Sequence, residues 1–461
     1  MPASAKKTLR VAVLADSDTR WKWGSLTANR IAPENSDIRL DGYLLRGRAT
    51  PTARQLEEVG VQADALHEVT AVQFLHAMRE ETYDILVLAL VGGGVQAMLH
   101  GLGRIWADAG VRSEDPAGRA KRPVVVTGYV GVVYEKLADG LLLRHGADLV
   151  LANSRRDAER FRAVYEGVGA DAGSVTEVAL PFLGGAAYAG EPDPSAEQGG
   201  RPYTVVFAAQ PSVPDNRRDR TYLLNRLVEH ARRHPEREVL LKLRSKPGEH
   251  TTHIEELPYQ KLVQRLDPPA NFRLVYGHMG EVLDRTDLLV TVSSTAALES
   301  LHRRVPTVVL TDLGVREALG NHHFVGSGCL ASWDQLDAGH RPVPDEEWVS
   351  RQGVAAGGTA AGEASYDTAF DAARARITKL LDRPGSLPPP APYYTTVTAP
   401  GYLPALLARH HLGPDGTPLP GTPAADKEPG PVRQIVRRAA RGAYRHGVQR
   451  VAPVIRRMGE L

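Results

Sequence analysis

Hydrophobic positions along the chain fall into two patterns. Short continuous apolar runs alternate with longer stretches in which apolar residues recur every three or four positions. The first pattern reads as strands buried on both faces, the second as amphipathic helices. Runs at 9–15, 38–45, 65–69, 84–90, 123–127, 148–152 and 175–180 predict strands. Helical patterns lie between them at 51–59, 71–80, from 94 to about 106, up to 143, and at 155–165, the last capped by Asn153-Ser154. After a Gly-, Pro- and acid-rich break the alternation restarts, with strands at 203–209, 238–243, 271–276, 288–292 and 307–310 and helices at 220–233, 280–285 and from 296. Alternation of this kind argues for parallel sheets covered by helices on both faces.

The expected architecture is therefore α/β, with two doubly wound Rossmann-type domains facing a cleft. The first spans 1–183, a linker 184–202, and the second 203–340. A Pro/Gly-rich region follows at 341–430, with a helix at 367–381, a short one at 402–410 and unstructured or loosely draped chain at 383–392 and 413–431, and then a basic tail at 431–461. Length agrees with this division, since 461 residues exceed what one hydrophobic core usually serves. Cys329 is the only cysteine, which excludes an intramolecular disulfide and a thiolate metal cluster and fits a reducing cytoplasm. It reads as a packing residue. No apolar run approaches the roughly 18 residues of a membrane span, and the run after Lys6-Lys7 ends at Asp16, too soon for a signal peptide. The net charge of +2 conceals an asymmetry, because eight arginines and no acid lie between Val432 and Gly459.

Candidate chemistry concentrates where strands end. In the stretch DLLVTVSSTAALESLHRRVPTVVL a strand runs into Ser293-Ser294-Thr295 and then a helix, with Glu299 in its first turn or so. The first N–H groups of a helix are unpaired and point at an anion placed there, so the turn is a candidate phosphate seat as well as an ordinary cap. In the same domain Lys242, Arg244 and Lys246 follow a strand, with His250 and His253 close behind. Such a run suits a phosphate or pyrophosphate, or is a solvated loop. No clustered carboxylate completes a zinc site with the two histidines. In the first domain Asp16 and Asp18 follow the first strand and are candidate general bases, with strand-end capping as the alternative. Trp21 and Trp23 are candidate stacking platforms for a sugar ring, or packing residues. Gly92-Gly93-Gly94 matches neither a dinucleotide fingerprint nor a P-loop and reads as a close-packing turn or, through Gly93 and Gly94, a substrate-facing loop. Glu135 and His145 are weaker candidates. In the tail Ile435, Val436, Ala439 and Ala443 line one side with arginines opposite, which suits an anionic membrane surface. With Tyr444 as its lone aromatic, nucleic acid is the least favoured partner.

The segment 276–314, with its Asp284-Arg285-Thr286-Asp287 lead-in and the Ser293-Ser294-Thr295 turn, resembles the donor-binding half of GT-B-fold glycosyltransferases. It is most similar to the bacterial capsule, polysialic-acid and teichoic-acid transferase group, in an actinobacterial branch. The resemblance implies that Ser293, Ser294 and Thr295 hold a donor phosphate and that Glu299 contacts the ribose or is structural. Where that group carries His-Pro after a lysine-ended strand, this chain has Lys242 and then Lys246-Pro247. The implied activity is metal-independent glycosyl transfer, without a cofactor, from a nucleotide sugar to a glycan, glycolipid or polymer hydroxyl in cell-envelope polysaccharide synthesis. The site would be cytoplasmic, at the inner face of the plasma membrane. Two other readings stand beside it: polyol-phosphate transfer or nucleotide-sugar epimerisation on the same fold, and a catalytically inactive binding protein docked at the membrane.

Overall fold

The computed structural model describes residues 7–34, 36–47, 49–112, 121–133, 136–192, 201–246, 249, 257–354 and 366–420. Glu135, His250, His253 and the 431–461 tail lie outside the described residues. The described chain divides into two compact units, one built from 7–182 with 366–420 and the other from 183–354.

The first unit holds a parallel sheet of seven strands: β1 (Lys7–Ala15), β2 (Ser36–Leu45), β3 (Ala65–Val69), β4 (Ile85–Ala89), β5 (Val124–Gly128), β6 (Leu149–Ala152) and β7 (Val175–Glu177). Their order is β3-β2-β1-β4-β5-β6-β7. The second unit holds six: β8 (Thr204–Ala208), β9 (Glu238–Lys242), β10 (Phe272–Val275), β11 (Leu288–Thr291), β12 (Thr307–Leu310) and β13 (Leu330–Ala331), in the order β10-β9-β8-β11-β12-β13. Strands β4, β5, β6, β8, β11 and β12 are buried at every residue, as strands sandwiched between helical layers must be. The expected pair of doubly wound α/β sheets is thus what forms.

One device recurs at the start of the strands. Asp84, Asp148 and Asp287 each directly precede an apolar strand, and one carboxylate oxygen of each accepts a neighbouring strand's backbone N–H at 2.8 Å: Arg10, Val125 and Thr204 respectively. An N–H that would otherwise be orphaned at the sheet edge is satisfied, and the register is pinned. Arg122 grips Asp148 at 2.7 and 2.9 Å, and Arg201 and the Tyr188 hydroxyl converge on Asp287.

The linker and the Pro/Gly-rich region are both held, and the two helices expected in the latter form at Asp371–Leu381 and Leu403–Ala408. The start of the presumed linker folds onto the second unit: Arg303 donates from Nε to the Gly184 carbonyl at 2.6 Å, and the Tyr188 N–H donates to the Arg303 carbonyl at 2.7 Å. Residues 366–420 return to the first unit. Arg122 donates to the Pro388 carbonyl and the Tyr366 hydroxyl to that of Leu180, while Leu403, Leu407 and Leu412 enter the same core as Phe74 and Leu102. Proline and glycine give this segment an irregular backbone without making it unpacked.

Candidate functional site

In an open doubly wound sheet ligands bind beyond the carboxyl ends of the strands, at the point where strand order reverses. In the second unit that point lies between β8 and β11. Gln210, two residues past β8, accepts on its amide oxygen both the backbone N–H of Ser293 at 3.2 Å and its hydroxyl at 3.1 Å. The same hydroxyl is 2.5 Å from the Leu319 carbonyl. Ser293 is fully buried, so its hydroxyl joins three chain segments beneath the turn instead of facing a ligand. Thr291 donates to the Ala208 carbonyl at 2.8 Å and accepts the Ser294 N–H at 3.1 Å, which fixes the next step of the turn.

Ser294 and Thr295 are half-buried and reach the edge. The Ser294 hydroxyl accepts the Ala296 N–H at 3.3 Å, whereas Thr295 already has helical backbone angles and makes no side-chain cap. The helix that follows, α10 (Ala296–His302), is short, and Glu299 is buried within it. Of the hydroxyl trio, Ser294 and Thr295 are thus the two that keep exposed surface at this edge.

The cationic run follows β9 at the same carboxyl edge, with β8 between it and the strand that carries the turn. Lys242 is buried and its ammonium donates to the Leu243 carbonyl at 2.9 Å. Arg244 is half-buried and Lys246 exposed, the latter with its ammonium 5.9 Å from the centre of the Tyr276 ring. Gln260 donates to the Ser245 carbonyl at 3.0 Å, holding the run against α8 (Tyr259–Val263).

Sequence reasoning missed the residues that shape this edge. Gln210 announces itself only as a polar side chain just past an apolar strand. Arg220, on α7 (Arg217–Arg233), is buried and donates to the carbonyls of Gln210, Pro211 and Pro214 at 3.1–3.3 Å while lying 4.1 Å over the Tyr259 ring. Asn321 donates to the carbonyls of Leu310 and Gly314, closing the loop beyond β12. Cys329 is buried and burial pushes its thiol up to about 11, which suits packing and not nucleophilic attack.

The first unit reverses between β1 and β4. There Asp16 accepts the Val91 N–H at 3.0 Å on one oxygen and pairs with Arg20 at 2.9 Å on the other. One oxygen thus ties the end of β1 to the residue past β4, and the other holds Arg20 of α1. Asp18 lies in the first turn of α1 (Asp18–Ile31), half-buried, and accepts from the Thr19 hydroxyl at 3.3 Å. Trp21 and Trp23, expected as stacking platforms, are each 1% exposed. They point from α1 into the sheet, where Gly42 and Gly128 leave room: a Cβ at either glycine would meet an indole carbon at 2.6 and 2.9 Å. Gly93 and Gly94 form the first turn of α4 (Gly92–Arg112), Gly94 buried and Gly93 near Leu406. His145 packs between Tyr165 and Tyr393.

Two basic groups complete this edge. Arg144 is buried and donates to the carbonyls of Gly128, Gly140 and Leu90, and burial lowers its pKa. His410, just past α14 (Leu403–Ala408), senses the charge of Asp16; burial lowers its pKa, with His411 and Arg409 acting in the same sense against Asp16. This histidine was inconspicuous in the sequence because it lies far from the first strand along the chain. Among the described residues no helix is long and apolar enough to cross a membrane.

The fold is similar to several solved structures. Staphylococcus aureus MnaA in complex with UDP shares 10% identity at a TM-score of 0.48, over 80% of this chain and 95% of that one. The UDP-GlcNAc 2-epimerase of Neisseria meningitidis, bound to UDP-GlcNAc, shares 10% at 0.44, over 81% and 100%. The spinosyn rhamnosyltransferase SpnG shares 12% at 0.37, over 84% and 98%. At these values the likeness transfers no activity. No curated protein matches the chain. Residues 11–368, which include strands of both sheets, match the family described as "Putative glycosyltransferase (DUF6716)", and the chain belongs to that family.

Proposed function

We propose that this chain is a GT-B-type, metal-independent glycosyltransferase that binds a nucleotide-sugar donor on the second unit and a hydroxyl acceptor on the first. The observation that carries the reading is the grouping of Ser294, Thr295, Arg244 and Lys246 at the carboxyl edge of the second sheet, braced from below by Gln210 and Ser293. Departing phosphate charge needs donors and cations fixed in advance, and this edge supplies both. Displacement at the anomeric carbon also requires removal of the acceptor proton. The first unit offers Asp16, which already holds the Val91 N–H and Arg20, together with Asp18 and His410, and His410 is the group whose surroundings favour the neutral, proton-accepting form.

The pathway reading is capsule or teichoic-type cell-envelope polysaccharide synthesis, with a glycan or lipid-linked acceptor. The arginine-rich 431–461 segment would dock at an anionic membrane surface on the cytoplasmic side. Sedimentation with anionic lipid vesicles, with and without residues 431–461, tests the docking; equal binding after truncation removes it.

The decisive experiment is a thermal-shift screen of the full chain against nucleotides and nucleotide sugars, followed by product analysis with the stabilising donor. Transfer to an added acceptor supports the proposal. Conversion of the nucleotide sugar without an acceptor replaces it with epimerisation, release of a polyol phosphate replaces it with phosphotransfer, and binding without turnover replaces it with a binding role.

A further inference from the structure

We propose that His230, His234 and Asp337 form a site for a divalent transition-metal ion of the zinc class, a structural clip unconnected with the ligand edge. His230 and His234 are four residues apart at the carboxyl end of α7, so they project from one face, and their ring centres are 4.5 Å apart. Asp337, the last residue of α11 (Trp333–Asp337), places one carboxylate oxygen 2.7 Å from His230 Nδ1. One ligand atom from each of the three lies within 4.8 Å of the others. Around an ion with bonds of about 2.0–2.2 Å tetrahedral ligands stand roughly 3.4 Å apart, so closure needs shifts on the order of an ångström.

The surroundings are those of a metal ligand set. Arg226 and Arg233 both hold the other oxygen of Asp337, at 3.3 and 3.2 Å, which orients the first oxygen toward the imidazole. His230 is fully buried, and the Trp333 ring lies 5.4 Å from it. Glu236, 3.5 Å from His234 Nδ1, can supply a fourth oxygen, or water can. The three arginines nearby do not forbid a cation. Arg226, Arg233 and Arg237 are paired with Glu229, Glu236, Asp334 and Asp337, which leaves one negative charge over when both imidazoles are neutral. An ion on His230 Nδ1 moves the ring proton to Nε2, now 3.5 Å from Arg237, and Arg237 can then turn fully to Glu236, its partner already at 3.4 Å. Because α7 leaves the carboxyl end of β8 and returns to the start of β9, its last turn lies at the opposite edge of the sheet from Gln210 and Ser294. The ion would join α7 to α11 and take no part in transfer.

The test uses the full-length, tag-free chain freed of metal by dialysis against a chelator and titrated with zinc chloride in competition with a chromogenic chelator. One zinc per chain is expected, with a rise in Tm on binding. His234→Ala, a half-buried position at the helix end, should weaken binding by more than the ~10–100-fold that loss of an outer-shell partner costs, and abolish the rise in Tm. Asp337→Asn should do the same; if it fails to fold, His234→Ala decides alone. Absence of saturable binding by the wild type, or wild-type affinity in folded His234→Ala, overturns the site. None of these outcomes depends on the proposed transferase activity.

Discussion

Gln210 and Ser293 meet through three atoms: one amide oxygen takes both the N–H and the hydroxyl of the serine, at 3.2 and 3.1 Å, and ties β8 to β11 where the second sheet reverses. Asp16 and Val91 make the corresponding tie in the first sheet at 3.0 Å. In each unit the crevice where a ligand is expected is therefore built around a polar bridge, and the bridging residues are scaffold. Gln210→Ala removes the amide oxygen that the buried Ser293 N–H and hydroxyl share. The expected loss is about 1–3 kcal/mol of stability, read as a lower urea midpoint at unchanged slope. A midpoint equal to that of the wild type would show the bridge to be dispensable.

Ser294 and Lys246 carry the opposite expectation. Neither is deeply buried, so the double variant Ser294→Ala with Lys246→Ala should keep its Tm and lose donor affinity. Removing one neutral and one charged hydrogen bond costs about 2–4 kcal/mol, a weakening of roughly 30- to 1000-fold by calorimetry with the nucleotide sugar that stabilises the wild type. Unchanged affinity would remove the site from this edge.

His410 gives a pH signature. Its pKa lies below the ordinary value of 6.5 because burial disfavours the imidazolium, with His411 and Arg409 adding to the effect and Asp16 opposing it. A base must be deprotonated to act, so kcat/KM should be level near pH 7 and fall as pH drops through a value below 6.5. His410→Gln should abolish that acid limb and cost about 10²–10⁴-fold in kcat, with donor affinity unchanged. An intact limb in His410→Gln would shift the role to Asp18, for which Asp18→Asn is the matching variant.

The strands were legible because they are buried on both faces and therefore written as unbroken apolar runs; 288–292 in the sequence is β11, Leu288–Thr291, in the fold. The reversal points were also legible, since Ser293–Thr295 and Asp16 stand directly after such runs. What each side chain faces was not. Ser293 and Ser294 are neighbours of identical chemistry, and only the Leu319 carbonyl and the Gln210 amide, supplied from elsewhere in the chain, turn one inward. Trp21 and Trp23 lie next to the acids in sequence, yet the room left by Gly42 and Gly128 on other strands draws them into the core. His410 escaped for the same reason: contacts between remote segments leave no periodic trace.

The segment 366–420 offers the sharpest test of how composition misleads. Its proline and glycine content suggests loosely draped chain at 383–392 and 413–431, but Leu403 and Leu407 are fully buried beside helices of the first sheet, and Arg122, itself clamped to Asp148, holds the Pro388 carbonyl at 2.8 Å. Leu407→Ala removes core volume that the surrounding helices cannot refill, so a loss of about 2–5 kcal/mol is expected. Truncation after residue 364 exposes the whole apolar face that this segment covers, and the first unit should then unfold or aggregate at temperatures where the full chain is stable. Truncation after residue 420 leaves that face covered and should preserve Tm within a few degrees. If the protein cut at 364 melted like the one cut at 420, the returning segment would be an ornament on a self-sufficient core.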